Sequence, residues 1–154
     1  MERKSGVLMH ISTLYGDYGT GSFGKEAMEF IDFLKSCGFT YWQVLPCCLV
    51  DECNSPYKSY STFGGNPYFI DLPTLCEEGL LTKDELESAR QKTPYSCEYQ
   101  RLYHTRTGLL AKASSRVSAD ERKRIDDFIG NDEYLKNFCE FMALKKANDE
   151  KAWY

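Results

Sequence analysis

The sequence predicts an α/β fold that begins with one strand–helix–strand unit and continues as a run of helices. Two segments, Gly6–His10 and Phe39–Pro46, have the composition of strands, and the first is a compact apolar run typical of a short buried strand. Between them, Lys25–Cys37 places apolar residues at helical spacing, and Gly38 follows as a C-terminal stop. Because such units join parallel strands through a right-handed crossover, we expect the two strands to pair in parallel.

Beyond Asp71 the pattern is helical, starting with a short helix in Pro73–Leu81 that is ended by glycine. The S/T-x-x-E capping-box pattern then occurs twice, at Thr82–Glu85 and at Ser118–Glu121. Two parallel strands do not make a well-covered sheet. Either partner strands lie outside this chain or a second copy supplies them. The remaining helices are predicted from Thr82 through Gln91, over Glu98–Ser114 and over Asp132–Asn148.

Composition and charge limit the kinds of molecule that this chain is expected to bind. The 154 residues are 42% hydrophobic and 27% charged, which is typical of a globular domain. The net charge is −4 with no basic stripe, so we expect no nucleic-acid partner. No apolar run approaches the roughly 18 residues of a membrane span, and the N-terminus lacks a signal-peptide pattern.

The seven cysteines are odd in number and lack paired CxxC units, so we expect reduced thiols in a cytoplasmic protein. Cys47, Cys48 and Cys53 are close enough in sequence to suggest a metal cluster. The two histidines, His10 and His104, do not lie at ligand spacing from them. We therefore predict no metal site.

The segment Tyr15–Gly24 holds four glycines and superficially matches the G-x-G-x-x-G dinucleotide pattern. The glycines follow a long loop and do not leave a strand directly, which favours a flexible turn over a cofactor site. A G-x-S-x-G nucleophile elbow is absent from the sequence.

Acidic residues at both ends of the loop that follows the second strand could form a glycosidase-like carboxylate pair. Asp71 ends a strand-like run, and Asp51 and Glu52 begin the loop. With 23 acidic residues in the chain, most are expected to be solvated surface groups, which argues against a catalytic role for these acids.

The segment 54–72 is too polar for a core strand and too aromatic for an ordinary solvated loop. Flat rings cover the apolar C–H faces of sugars, and neighbouring hydroxyl and amide groups meet the sugar hydroxyls. The loop also leaves the carboxyl end of the second strand, where parallel α/β folds collect their ligands. The alternative is a loop whose rings simply cap a core.

Several segments together resemble, in order and at compatible spacing, the N-terminal portion of the 4-α-glucanotransferases, the amylomaltase or disproportionating enzymes of the α-amylase clan. The most specific of them is Trp42–Pro46 followed by Ser-Pro-Tyr and Gly-Asn-Pro. The resembling segments are Gly6–His10, the glycine-rich turn to Gly24, Tyr41–Pro46, Ser55–Ser61, Gly65–Leu72, and Phe141–Ala147 leading to Trp153.

The resemblance implies a (β/α)8 TIM barrel. Residues 1–72 would begin it, with the first two parallel strands, the first helix and an aromatic glucan-binding loop at 47–71. Residues 73–154 would form a mostly helical inserted subdomain. The remainder of the barrel is expected from downstream polypeptide.

The resemblance also implies retaining transfer of an α-1,4-glucan segment to the 4-hydroxyl of an acceptor, without a cofactor. The family's catalytic acids lie beyond residue 154, so the chain alone is expected to be inactive. The expected partners are maltooligosaccharides or other α-1,4-glucans. The alternative is a non-catalytic carbohydrate-binding module.

Three substrate-binding residues carry over from the family. Tyr57 corresponds to the tyrosine beneath the sugar about to be cleaved, and Ser55 to a polar neighbour. Tyr103 lies where some members have a secondary glucan site, although a tyrosine that packs on a helix explains it equally well.

The chain departs from the family at two places. Glu52 replaces the other tyrosine of the secondary site, which argues against that site. Ile11-Ser12 follows His10 in place of Pro-Thr, which affects the local turn but not the strand.

Overall fold

In a computed structural model, which describes residues 3–50 and 53–151, the two predicted strands pair in parallel. Strand β1 is Gly6–Leu8, helix α1 is Lys25–Ser36 and strand β2 is Tyr41–Gln43. In the strand register Gly6 lies opposite Tyr41. The predicted strand–helix–strand unit is thus confirmed. Asp51, Glu52 and Trp153, which entered the sequence predictions, lie outside the described residues.

Both strands are shorter than predicted. The last ladder bond runs from the Met9 N–H to the Gln43 carbonyl, at 2.9 Å. At His10 the chain turns into a 3-10 helix, Ile11–Thr13, so β2 loses its hydrogen-bonding partner beyond that point. The prediction of a buried first strand is also wrong, because Leu8 is 60% exposed.

Helix α1 covers one face of the strand pair. Its buried side chains are Ala27 and Leu34, and the Phe30 ring meets Trp42 of β2 edge to face at 4.9 Å. Phe33, one of the apolar residues at helical spacing in Lys25–Cys37, is 58% exposed, so the strand pair covers only part of the apolar face of the helix. Gly38 ends the segment with a φ of 79°, a conformation that favours glycine.

In the helical region most helices begin at a local side-chain cap, whereas the helix that starts at Tyr99 has none. Thr82 and Ser118 each form both hydrogen bonds of the predicted capping box. Arg116 hydrogen bonds to Glu85 and keeps the pKa of that carboxyl well below its usual range. The helices are α2 Leu72–Glu77, α3 Lys83–Ser88, α4 Tyr99–Ser115, α5 Ala119–Gly130 and α6 Glu133–Ala147.

Asp71 does not end a strand, as its position in the sequence suggested. The preceding residues Pro67–Phe69 form a 3-10 helix, and Asp71 caps α2 by accepting the Thr74 N–H at 3.0 Å. An acid that starts a helix and an acid that ends a strand look alike in sequence when the helix is short.

The core consists of two clusters, and α4 contributes to both. The first surrounds Phe69 and includes Leu102 of α4. The second surrounds Leu72 and includes Leu109 of α4. Among the described residues, no helix is long and apolar enough to cross a membrane.

Arg106 of α4 lies between the two clusters and is 3% exposed. Its guanidinium donates to the Ile70 carbonyl at 3.1 Å and to the Tyr18 carbonyl at 2.5 Å. Burial lowers the pKa of Arg106 to about 10, so the group stays charged at neutral pH. The Arg106 side chain therefore joins α4 to the glycine-rich turn at Tyr18 and to the end of the loop at Ile70.

Replacing Arg106 by leucine is expected to reduce the free energy of unfolding by about 3 kcal/mol, because two carbonyls lose charged donors. Urea unfolding measures this. The matched variant Arg124→Leu, at an exposed position of α5, is expected to change it by less than about 0.5 kcal/mol. Equal effects of the two substitutions would show that Arg106 contributes no more to the free energy of unfolding than an exposed arginine does.

Candidate functional site

The candidate site is the aromatic loop, defined here as residues 47–71, which leaves the carboxyl end of β2 as predicted. Backbone hydrogen bonds join the first residues of the loop to residues near its end. The Asn66 N–H donates to the Cys47 carbonyl at 2.8 Å, and Cys48 forms an antiparallel bridge with Gly65. The loop is therefore an excursion whose two ends are held side by side.

A 3-10 helix, Pro67–Phe69, lies near the end of the loop, where the chain comes back to the strands. The Asn66 side chain accepts the Tyr68 N–H at 2.9 Å, and Phe69 is 1% exposed. The Phe69 ring meets His10 edge to face at 5.3 Å and Phe23 at 6.1 Å. Since His10 follows β1, the end of the loop is tied to the carboxyl ends of both strands.

His10 is buried, and neither ring nitrogen has a hydrogen-bond partner among the residues that the structure describes. Burial lowers the pKa of the imidazole because the charged form would lose its hydration. His10 therefore packs here as a neutral ring against Phe69.

Tyr57 and Ser55 lie together at the outer part of the loop. The Tyr57 side chain is 72% exposed, whereas Ser55 is half-buried. The Tyr57 N–H donates to the Ser55 hydroxyl oxygen at 3.3 Å, which favours a local turn. The loop thus presents a tyrosine ring to solvent beside a serine that shapes its backbone.

The other rings of the outer loop pack on helix α6. Phe63 stacks on Tyr134 with a centroid distance of 4.3 Å and an interplanar angle of 17°. Tyr60 meets Phe141 at 5.7 Å, and the Lys145 ammonium lies 5.0 Å from the Tyr60 ring centroid. Neither of these rings belongs to the two core clusters.

Tyr103 lies on a different element, α4, and is 60% exposed. Its ring meets the neighbouring His104 ring edge to face at 5.2 Å. One turn earlier, Tyr99 packs against Tyr68 at 6.2 Å. Although Tyr57 and Tyr103 both belong to the described part of the chain, no ring contact or hydrogen bond joins them.

A small polar cleft lies behind the loop, between the glycine-rich turn and α2, and Arg106 and Asp71 line it. Its volume of about 120 Å³ is below the roughly 300 Å³ of typical ligand pockets. Asp71 accepts hydrogen bonds from the Ser22 hydroxyl at 2.7 Å and from the Thr74 N–H and hydroxyl. Its carboxylate is therefore a structural cap here, whereas Asp51 and Glu52, the other acids of the predicted pair, lie outside the described residues.

The cysteines take part in neither a disulfide nor a metal site within the described ranges. No disulfide joins any of the cysteines, all of which lie in the described ranges. Within residues 3–50 and 53–151, no group of three or more His, Cys, Asp or Glu side chains is arranged to hold a metal ion.

In the glycine-rich turn, Gly19 has a φ of 99° and its carbonyl accepts the Glu98 N–H at 2.7 Å, which connects the turn to the start of α4.

Known proteins resemble this chain over nearly its whole length. A family model described as 4-alpha-glucanotransferase (Glyco_hydro_77) matches residues 9–154. A 4-alpha-glucanotransferase from Streptococcus pneumoniae is 43% identical over 155 residues, which is 99% of this chain and 31% of that protein. The one from Clostridium butyricum is 39% identical over 147 residues, which is 94% of this chain and 30% of that protein.

Among solved structures, the amylomaltase from Streptococcus agalactiae in complex with acarbose matches with a TM-score of 0.91 and 36% identity. The match covers 98% of this chain and 31% of that chain. This chain therefore spans less than a third of the length of each of these relatives.

The buried His10 predicts a pH dependence of stability. Because its pKa is lower in the folded chain than the ordinary value near 6.5, the unfolded chain binds the proton more tightly. The free energy of unfolding should therefore fall as the pH drops from 7.5 to 5.5, by at most about 1.4 kcal/mol per pH unit.

Urea unfolding at the two pH values tests this. His10→Leu should remove most of the dependence, whereas His104→Leu, at an exposed position, should retain it. Retention of the wild-type dependence in His10→Leu would contradict the assignment to His10.

Proposed function

The chain belongs to the 4-alpha-glucanotransferase family, and on that premise we propose that it supplies the glucan-binding loop of an enzyme that transfers α-1,4-glucan segments. The segment passes to the 4-hydroxyl of an acceptor glucan or of glucose. The observation that supports this proposal most directly is the Tyr57 ring, which at 72% is the most exposed aromatic side chain of the loop and, unlike Tyr60 and Phe63, is not seen to contact another ring.

Tyr57 is suited to stack on the apolar face of a glucose unit while its hydroxyl bonds to the sugar. Stacking of this kind contributes about 1–3 kcal/mol per ring with nucleobases, which is the scale we adopt here. Ser55 holds the backbone at Tyr57 and offers a second polar contact. Tyr103 is proposed as a separate, weaker contact, since it lies on α4 away from the loop.

The chemistry requires carboxylates that we place outside residues 1–154. An aspartate would attack the anomeric carbon while a glutamate protonates the departing glycosidic oxygen. The same glutamate would then deprotonate the 4-hydroxyl of the acceptor, which displaces the aspartate, and a second aspartate would stabilise the transition state. This chain binds and orients the glucan but does not cut it.

We further propose that β1, α1 and β2 begin a (β/α)8 barrel, within residues 1–72, and that residues 73–154 form an inserted helical subdomain. The 60% exposure of Leu8 supports this, because strands of parallel sheets are normally covered on both faces. Polypeptide outside this chain would supply the remaining strands.

The proposed ligands are maltooligosaccharides and other α-1,4-glucans, with no cofactor and with neither nucleic acid nor membrane as a partner. A cytoplasmic location is proposed from the cysteines, seven in number without a disulfide, which are typical of a reducing compartment.

Tyr57→Ala is expected to weaken maltoheptaose binding about tenfold, because it removes the stacking ring. Tyr57→Phe should lose less, since it keeps the ring and removes only the hydroxyl. Titration calorimetry measures both. Tyr95→Ala, which removes an 86% exposed tyrosine from a different loop, is the matched control and should bind like the wild type.

A disproportionation assay with maltotriose tests the placement of the catalytic acids. The 154-residue chain alone should release no glucose. A chimaera in which it replaces the matching segment of the Streptococcus pneumoniae relative should release glucose, and should lose activity with Tyr57→Ala. Glucose release by the isolated chain would contradict the proposal. Glucan binding without any activity in a folded chimaera would favour a non-catalytic binding module.

A further inference from the structure

We propose that helix α6 is a positioning element for the aromatic loop, and that Phe138 is the residue through which it fixes the loop that presents Tyr57. The inference rests on the proposed function, in which Tyr57 contacts the glucan. Neither Phe138 nor any other residue of α6 is required to touch the ligand.

The face of α6 that meets the loop is a single stripe. Tyr134, Phe138, Phe141 and Lys145 follow one another at intervals of four, three and four residues. Residues at this spacing lie on the same side of a helix. Three aromatic rings and one ammonium group thus point from α6 toward the same neighbour.

The stripe meets the outer loop at three successive points. Tyr134 stacks on Phe63, and Phe141 packs on Tyr60, which also lies under the Lys145 ammonium. The Lys145 ammonium donates to the Glu150 carbonyl at 2.7 Å, and its side chain is only 11% exposed. This hydrogen bond holds the cation in place over the ring.

Gly64 marks the closest approach between loop and helix. It is buried, and a Cβ at this position would collide with the ring of Phe138. Its φ lies outside the left-handed region, so the glycine is needed for the approach and not for the backbone angle. At the next residue, Gly65, a Cβ would meet nothing within 4 Å.

Hydrogen bonds within the loop shape its outer part. One of them runs from the Cys48 thiol to the Thr62 carbonyl, at 3.5 Å. The serine hydrogen bonds are local: the Ser55 hydroxyl accepts the Tyr57 N–H, the Ser59 hydroxyl donates to the Ser61 carbonyl, and the Ser61 hydroxyl accepts the Phe63 N–H. Such bonds shape turns but do not fix the loop relative to the scaffold. Packing on α6 does so by covering part of the Tyr60 and Phe63 rings, and Tyr57 remains the most exposed ring of the loop.

Trypsin cleavage after Lys58 gives a readout inside the loop, and cleavage after Lys92, exposed in a different loop, gives an internal reference. Gly64→Ala and Phe138→Ala should each speed cleavage at Lys58 by about tenfold, because cleavage follows the population of the open loop. Cleavage at Lys92 should not change.

Two matched variants and one rescue complete the test. Gly65→Ala adds the same methyl group where space is open, and Phe128→Ala removes a 67% exposed phenylalanine from α5. Both should cleave like the wild type. The double variant Gly64→Ala/Phe138→Leu, in which a shorter side chain makes room for the added methyl group, should recover most of the protection.

Maltoheptaose binding by the same chains tests the consequence for Tyr57. Gly64→Ala and Phe138→Ala should weaken binding in the wild-type background and add no further loss to Tyr57→Ala. Unchanged cleavage at Lys58, or an additional loss of binding without Tyr57, would overturn the role of α6. If instead the wild type and Tyr57→Ala bind equally, the proposed function fails, and the cleavage result still decides the role of α6.

Discussion

Phe69 lies where the aromatic loop returns to the strands, and its ring is 1% exposed. It brings together segments that are distant in sequence. Its ring meets His10 after β1, its carbonyl accepts the Phe23 N–H before α1, and its cluster includes Leu102 of α4. Because interiors are close-packed, a side chain that joins so many elements leaves little freedom in how they are arranged. The position of the loop follows from this burial.

A binding loop has to be exposed and yet ordered before the ligand arrives, since ordering it on binding costs affinity. If the aromatic loop binds glucan as proposed, it would meet both demands because its rings differ in their surroundings. Phe69 is buried at the end nearest the core, Tyr60 and Phe63 lie partly against α6, and Tyr57 is the most exposed of the loop's rings. The helical region therefore does more than enlarge the chain, because it supplies one of the two surfaces that hold the loop.

How far the sequence predicts this arrangement depends on the range of the interactions. The starts of α3 and α5 were predictable because Thr82 and Ser118 act within one turn. The strands came out shorter than predicted because strand length depends on a distant partner, and Asp71 was misassigned because the cap and the strand end share one local pattern. The aromatic spacing of α6 predicted a helix, but nothing local showed that Gly64 would lie against Phe138. The ligand contacts of Tyr57, Ser55 and Tyr103 remain predictions.

The most direct measurement of the central claim is a search for nuclear Overhauser contacts between maltoheptaose and the Tyr57 ring, using chain labelled at its tyrosines. The account predicts contacts from the Tyr57 ring protons to the C–H protons of a glucose unit, with the ring lying along one face of the sugar. Contacts from the bound glucan to other tyrosines, with none to Tyr57, would contradict it.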